Sequence, residues 1–339
     1  MTAFTQNAAP PGGSATLTRL FARRPEIFTL LLLVALCAFV AAANPDFLRL
    51  ATLFDIARAS VVVGLFALGV FVVLAAGGID VSFTAIAALC MYAVTKLVVE
   101  LAPDLPLPVV FTLSIATGLA LGLVNGVLVH HLRVPSLIVT IGTQYAWRGF
   151  LLTFIGTIWI TTLPPQMDDF GKVALLSTTS SQGARVILPI FVLILPAVAV
   201  LTWWILHRTL LGRAVFAVGG NPLVAERLGY SLRTVHLFVF GYAGALAGLA
   251  GIVHACSNRQ SNPFDLVGSE IDVIAAVVLG GARITGGTGS VWGVILGVLL
   301  VVVINNALIM AGVPSTWQRV VVGSFILIAG AAMVIRRRA

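Results

Sequence analysis

The chain has 339 residues, 59% of them hydrophobic and only 9% charged, with a net charge of +8. A soluble domain carries about a quarter of its residues as charged side chains. Together with a mean hydropathy of +1.08, this excludes a soluble protein and defines an all-α polytopic membrane protein. The positive charge comes from eighteen Arg and two Lys, Lys96 and Lys172. No basic run is interleaved with aromatics, so the charge points to loops held near anionic lipid and not to nucleic acid.

Residues 1–18 are Ala/Thr/Gly/Pro-rich, and 1–26 read as a cytoplasmic tail. Arg19, Arg23 and Arg24 precede the first apolar run, Ile27–Ala43. A basic flank and an Ala-rich end also suit a signal peptide, but the run is long enough for an uncleaved first span, which is the reading taken. Nine further apolar runs follow, at 59–76, 83–99, 107–129, 136–156, 187–206, 236–256, 271–283, 291–311 and 319–335. About ten spans put both termini on one side. With the N-terminus inside, twelve basic residues fall on inside segments and seven on outside segments or span edges. The positive-inside rule then places both termini in the cytoplasm. Residues 27–335 read as a single transmembrane domain and 336–339 as a basic cytoplasmic end. Most acids, Glu270 and Asp272 among them, fall outside in this arrangement. The longest outside loop, about 157–186, is polar around Ser177–Gln182.

Two glycine-rich breaks interrupt the spans, near 77–84 and 280–290. The first is Gly77-Gly78-Ile79-Asp80-Val81-Ser82. A carboxylate near bilayer depth costs roughly 2.5–3.5 kcal/mol on insertion scales and needs a partner. Asp80 or Ser82 serves either as a cap for the next helix or as part of a gate where unwound backbone faces a cavity. The second break carries Gly280, Gly281, Gly286, Gly287 and Gly289. It lacks the Lys-Ser/Thr of a phosphate-binding loop, so it reads as close helix packing or as a hinge in a pathway. Asn305 and Asn306 are placed mid-span, as interhelical glue or as a polar wall. Arg148 reads as an anchor near the outer end of its span. Cys37, Cys90 and Cys256 sit in or beside apolar runs and read as small buried hydrophobes. The five histidines form no metal-binding pattern. No buried acid cluster, proton relay or nucleophile–base set stands out deep in the spans. That argues against an ion-coupled carrier for a small polar solute and against an enzyme.

Residues 208–233 are the longest basic stretch that does not span. They contain a short helix with both ends marked. Asn221 suits the N-cap, Pro222 the first helical position and Gly229 the left-handed position past the end. About seven helical residues are too few to stand alone in water, so this helix needs a partner or a membrane surface. Glu226 weakens the membrane-surface reading, since such helices favour a basic polar face.

Five segments occur in order: GGIDVS at 77–82; Asn125, Gly126, Pro135, Thr140, Gly142, Arg148 and Gly149; 208–230; 272–293; and NNALIMAGV at 305–313. This set resembles the permease subunits of ribose-, arabinose- and xylose-type ABC importers, a family that includes autoinducer-2-type permeases. The resemblance covers about residues 28–335. It implies a ten-helix inner-membrane subunit working as a dimer with a second copy or paralogue. Two partner ATPases would bind ATP and magnesium on the cytoplasmic face, so this chain itself needs no cofactor, and a periplasmic binding protein would deliver a monosaccharide or polyol. The resemblance assigns ATPase coupling to Gly219, Gly220, Asn221, Pro222, Glu226, Arg227 and Gly229. The expected pathway or gate comprises Gly77, Gly78, Asp80, Ser82, Asn125, Gly280, Gly281, Gly286, Gly287, Asn305 and Asn306. Two departures stand out: Phe83-Thr84 where the family often has Val-Gly, and Ala282-Arg283 where it often has Thr-Ser.

Overall fold

A computed structural model describes residues 25–179 and 185–314, together with 317, 320, 323 and 324. The tail at 1–24, most of the expected tenth span at 319–335 and the basic end at 336–339 lie outside the described residues.

The described chain is helical apart from one hairpin. Its helices are α1 (Pro25–Ala43), α2 (Leu50–Ala75), α3 (Phe83–Leu101), α4 (Leu107–Leu132), α5 (Ser136–Phe150), α6 (Pro165–Lys172), α7 (Ile194–Arg208), α8 (Leu210–Gly220), α9 (Pro222–Arg227), α10 (Leu232–Asn258), α11 (Glu270–Leu279) and α12 (Val291–Met310). A π turn, Leu151–Ile155, extends α5. Among the described residues, seven helices are long and apolar enough to cross a membrane: α1, α2, α3, α4, α7 with the 3-10 turn before it, α10 and α12. Each of the nine apolar runs within the described residues overlaps a helix, although the run 187–206 opens in a strand and a 3-10 turn and the run 271–283 outlasts its helix.

The boundaries differ where charge was read as an end. α2 begins at Leu50, nine residues before the expected run. Asp55 and Arg58 lie one turn apart on an exposed face and pair at 3.7 Å, so helix continues through them at little cost. α11 is only ten residues long, about 15 Å at 1.5 Å per residue, which is half of a span.

The core is the packing of α10 against α4, α2 and α3. α4 and α10 meet backbone to backbone. A methyl group on Gly118 would lie 2.2 Å from the Gly244 carbonyl oxygen, and one on Gly244 would lie 2.2 Å from the Gly118 carbonyl oxygen. Gly122 and Gly248 make equally close approaches, to the Phe240 and Ser114 carbonyl oxygens at 2.2 Å each. The Ser114 hydroxyl donates to the Gly248 carbonyl at 2.7 Å. This is small-residue helix packing at four-residue spacing, in which removal of side chains lets dispersion and carbonyl contacts hold two helices.

Outside the helical core, α6 and an antiparallel pair, β1 (Ala174–Thr179) and β2 (Arg185–Pro189), occupy the loop that was expected to be merely polar. Asp168 on α6 accepts from Lys172 and from Arg259, just past α10. Those two hydrogen-bonded cations hold its carboxyl below the ordinary value of 3.8. The ionised form is therefore the bonded one, and this strap is in place at neutral pH and lost only as pH falls through that lowered value.

Candidate functional site

The first break turns at Gly77, whose φ of +82° favours glycine. The chain then runs extended along the start of α5. Ile79 N–H donates to Ser136 Oγ at 2.8 Å, and Thr140 Oγ1 donates to the Ile79 carbonyl at 3.3 Å. The α5 hydroxyls thus take over backbone groups that a continuous helix would have satisfied internally. Asp80, 1% exposed, accepts from the Ser82 N–H at 2.8 Å and the Ser82 hydroxyl at 2.7 Å. Asn125 on α4 donates to Ser82 Oγ at 2.7 Å. Neither side chain caps an N–H of α3, against the cap reading; Asp80 and Ser82 order the turn just before that helix, and Asn125 ties the turn to α4. Asp80 Oδ2 and Asn125 Oδ1 remain buried without a donor among the described residues.

Glu270, expected on an outside segment, has a buried carboxylate. It is 9% exposed, at the first residue of α11. It accepts from Thr84 on α3, from Gln144 on α5 at 2.7 Å and from the Gly268 N–H at 3.0 Å. The reason is geometric. Helix α10 ends at Asn258, and the non-helical residues 259–269 carry the chain into the bundle before α11 starts. Ser82 and Thr84, two residues apart, connect the Asp80 and Glu270 clusters. Two interrupted spans, α3 and α11, thus begin in one polar interior with α5 beside them. Thr84 is one of the family departures noted above.

The second break divides in two. Gly280 and the glycines of α12 are close-packing residues: a methyl on Gly280 would lie 2.4 Å from the Gly293 carbonyl oxygen, and one on Gly297 would lie 2.0 Å from the Ala276 carbonyl oxygen. Gly281, Gly286 and Gly287 have φ of +93°, +85° and +77°. The last two reach other segments. The Gly287 N–H donates to the Ala75 carbonyl at 3.0 Å. A methyl on Gly286 would lie 2.6 Å from Gly77 Cα, and one on Gly287 would lie 2.9 Å from Gly220 Cα. A methyl on Gly219 would lie 1.9 Å from the Ala75 carbonyl oxygen and 2.6 Å from the Gly287 nitrogen. Gly77 and the pairs 219–220 and 286–287, far apart in the chain, meet at one junction.

Beyond the junction, residues 208–233 hold two helices and not one. α8 buries Gly212, Ala214, Val215, Val218 and Gly219. α9 has the caps its sequence announces. Asn221 Oδ1 accepts from the N–H groups of Leu223 and Val224 at 3.1 and 3.2 Å. Gly229 has a φ of +87°. Its N–H reaches the Glu226 carbonyl at 2.9 Å while the Tyr230 N–H reaches that of Ala225 at 3.1 Å, the paired bonds of a Schellman end. Only Ala225 of α9 is buried; Leu223, Val224, Glu226, Arg227 and Leu228 are exposed. A cavity of about 270 Å³ beside this helix is lined by Gly77, Gly78, Arg133, Ser136, Pro222 and His236, among others.

Asn305 and Asn306 lie in the last two turns of α12, half-buried. They take no part in either polar cluster. Arg148 is half-buried near the end of α5 and forms no ion pair with a described residue, while Arg283 is exposed. Cys90 and Cys256 are buried and Cys37 is half-buried.

These features define a multi-pass membrane protein whose interrupted spans meet in its interior. Its residues 52–330 match the family model described as the permease component of branched-chain amino acid transport systems. An autoinducer 2 import system permease protein of Enterobacter sp. (strain 638) is 35% identical over 272 residues, 80% of this chain and 76% of the relative. The ribose import permease protein of Escherichia coli (strain K12) is 32% identical over 302 residues, 89% of this chain and 91% of the relative. That of Haemophilus influenzae is 32% identical over 269 residues, 79% and 80% of the two chains. No solved structure matches. The chain belongs to this family of transport-system permease components, and it is a multi-pass inner-membrane protein.

Proposed function

We propose that this chain is the transmembrane permease subunit of an ABC importer and forms the pathway for a monosaccharide or related small polyol. The observation that carries the reading is its near full-length similarity to ribose and autoinducer 2 import permeases. The family description names amino acids, but the similar curated relatives are permeases for ribose and autoinducer 2, which favours a hydroxylated solute. Ten spans with both termini cytoplasmic, a second permease copy or paralogue, a periplasmic binding protein and separate ATPases holding ATP and magnesium complete the reading.

In it, α9 and its flanks, Gly219 to Gly229, form the part that the ATPase grips. An exposed apolar face (Leu223, Val224, Leu228) with charge at its edge (Glu226, Arg227) supports this. Such a face suits a cleft on another protein better than lipid. The pathway or gate follows the two breaks, with Gly77, Gly78, Asp80, Ser82, Asn125 and the glycines of 280–287. Glu270 joins that set. Asn305 and Asn306 line the same path only where it passes the end of α12.

Buried Asp80 and Glu270 are what an ion-coupled carrier would also need, so that reading is tested alongside. Reconstituted permease alone should take up no labelled ribose under a proton or sodium gradient. Uptake should require ATPase, binding protein and ATP. Gradient-driven uptake by the permease alone would overturn the ABC reading.

The coupling role gives a separate expectation. A side chain at Gly229 has open space, so Gly229→Val acts through backbone alone, at roughly 1–2 kcal/mol for a left-handed non-glycine residue. Asn221→Ala removes the cap, at about 1 kcal/mol. Both variants should accumulate normally, hydrolyse ATP in the complex and transport several-fold less per ATP. Wild-type transport by both would remove α9 from the mechanism.

A further inference from the structure

We propose that the junction of Gly77, Gly219, Gly286 and Gly287 is the point at which movement of α9 is divided between the two interrupted spans, with Gly219 as the positioning residue. This rests on the coupling role proposed for α9. Gly219 lies two residues before the Asn221 cap, and no side chain separates it from its neighbours. Its α-carbon faces the Ala75 carbonyl, at the end of α2 where the first break begins. It also faces the Gly287 nitrogen, in the turn that joins α11 to α12. The Gly287–Ala75 hydrogen bond clamps those two targets together. Beyond Gly77, the non-helical residues 78–81 are bonded to α5 through Ile79 and Val81 and lead into α3.

Backbone against backbone has no rotamer to absorb a displacement. A side-chain contact would yield by changing χ angles, whereas three chain segments in direct contact transmit motion as rigid bodies. The cavity bordered by Pro222, Gly77 and Gly78 gives α9 room to travel on one side. A shift of α9 therefore acts on α2–α3 and on α11–α12 in the same stroke.

Two helical glycines provide a matched test. A methyl on Gly219 collides with Ala75 and Gly287, whereas a methyl on Gly142 in α5 meets nothing within 4 Å. In the assembled importer, with complexes matched for bound ATPase, Gly219→Ala should lower ribose uptake per ATP hydrolysed at least tenfold. Gly142→Ala should stay within twofold of wild type. Equal transport per ATP in the two variants would overturn the proposal.

Hydrogen exchange in the wild-type complex supplies the second measurement and needs no variant to fold. On trapping with MgATP and vanadate, the amides of 219–228, 76–79 and 285–289 should change protection together. If 219–228 responds and the other two segments do not, the junction proposal falls and the coupling reading stands. If 219–228 does not respond, both fall.

Discussion

Replacement of Gly244 by leucine should abolish accumulation of the folded protein in the membrane. The Gly244 α-hydrogen faces the Gly118 carbonyl oxygen at a distance that leaves no room even for a methyl group. A leucine would force α4 and α10 apart along their whole contact, because Gly118, Gly122 and Gly248 make the same kind of approach at successive turns. Overpacking one core position costs about 1–3 kcal/mol when neighbours can shift; here the neighbours are backbone atoms in a second helix. The expected loss therefore exceeds that range and is comparable to the whole stability of a domain. Gly142→Leu is the control. That residue is in a helix too, but nothing lies within 4 Å of its added carbon. Membrane abundance measured by immunoblot and detergent size exclusion should fall to background for Gly244→Leu and stay within twofold for Gly142→Leu. Equal abundance of the two would refute the packing argument.

Glu270→Ala should cost nearly all transport while Glu270→Gln keeps a substantial part of it. Alanine removes the acceptor of the fully buried Thr84 hydroxyl and of the less buried Gln144 and Gly268 N–H donors. Leaving a buried hydroxyl unsatisfied costs about 1–3 kcal/mol, and α11 loses its tie to α3 and α5. Glutamine retains one acceptor oxygen and the volume. The expected readout is uptake reduced more than twentyfold in the alanine variant and about two- to fivefold in the glutamine variant. Thermal unfolding in detergent should fall most for alanine. Should both variants transport as wild type, Glu270 is a passive filler and the polar interior has no role at its α11 end.

Much of this arrangement was legible beforehand. Apolar runs mark helices because backbone groups in lipid must be satisfied within the segment, and every run within the described residues contains one. The ends of α9 were readable because caps are local: Asn221 and Gly229 act on residues two to four positions away. The small-residue spacing at Gly118, Gly122 and Gly126, matched by Gly244 and Gly248, was also in the sequence. It escaped notice beside the double glycines because it causes no break. The burial of Glu270 was not legible for a different reason. An acid just before an apolar run looks like a loop residue unless the chain enters the bundle before turning helical. The strand pair at 174–179 and 185–189 and helix α8 are short and weakly patterned, and packing decides them. The meeting of Gly77, Gly219 and Gly286 could not be read at all. Each pair explains itself locally as a turn or a cap, and only folding across some 200 residues makes them one contact.

The exposed face of α9 carries a consequence for how the protein must be made. Leu223 and Leu228 are 70% and 71% exposed, and burying such a side chain is worth about 1.5–3 kcal/mol. On the coupling role proposed for α9, a subunit synthesised without its ATPase would present this adhesive patch to every chaperone and protease it meets. Matched supply of the partner is then a condition of survival for the orphan chain. Overproducing the permease alone should shorten its half-life, and supplying the ATPase in equal number should restore it.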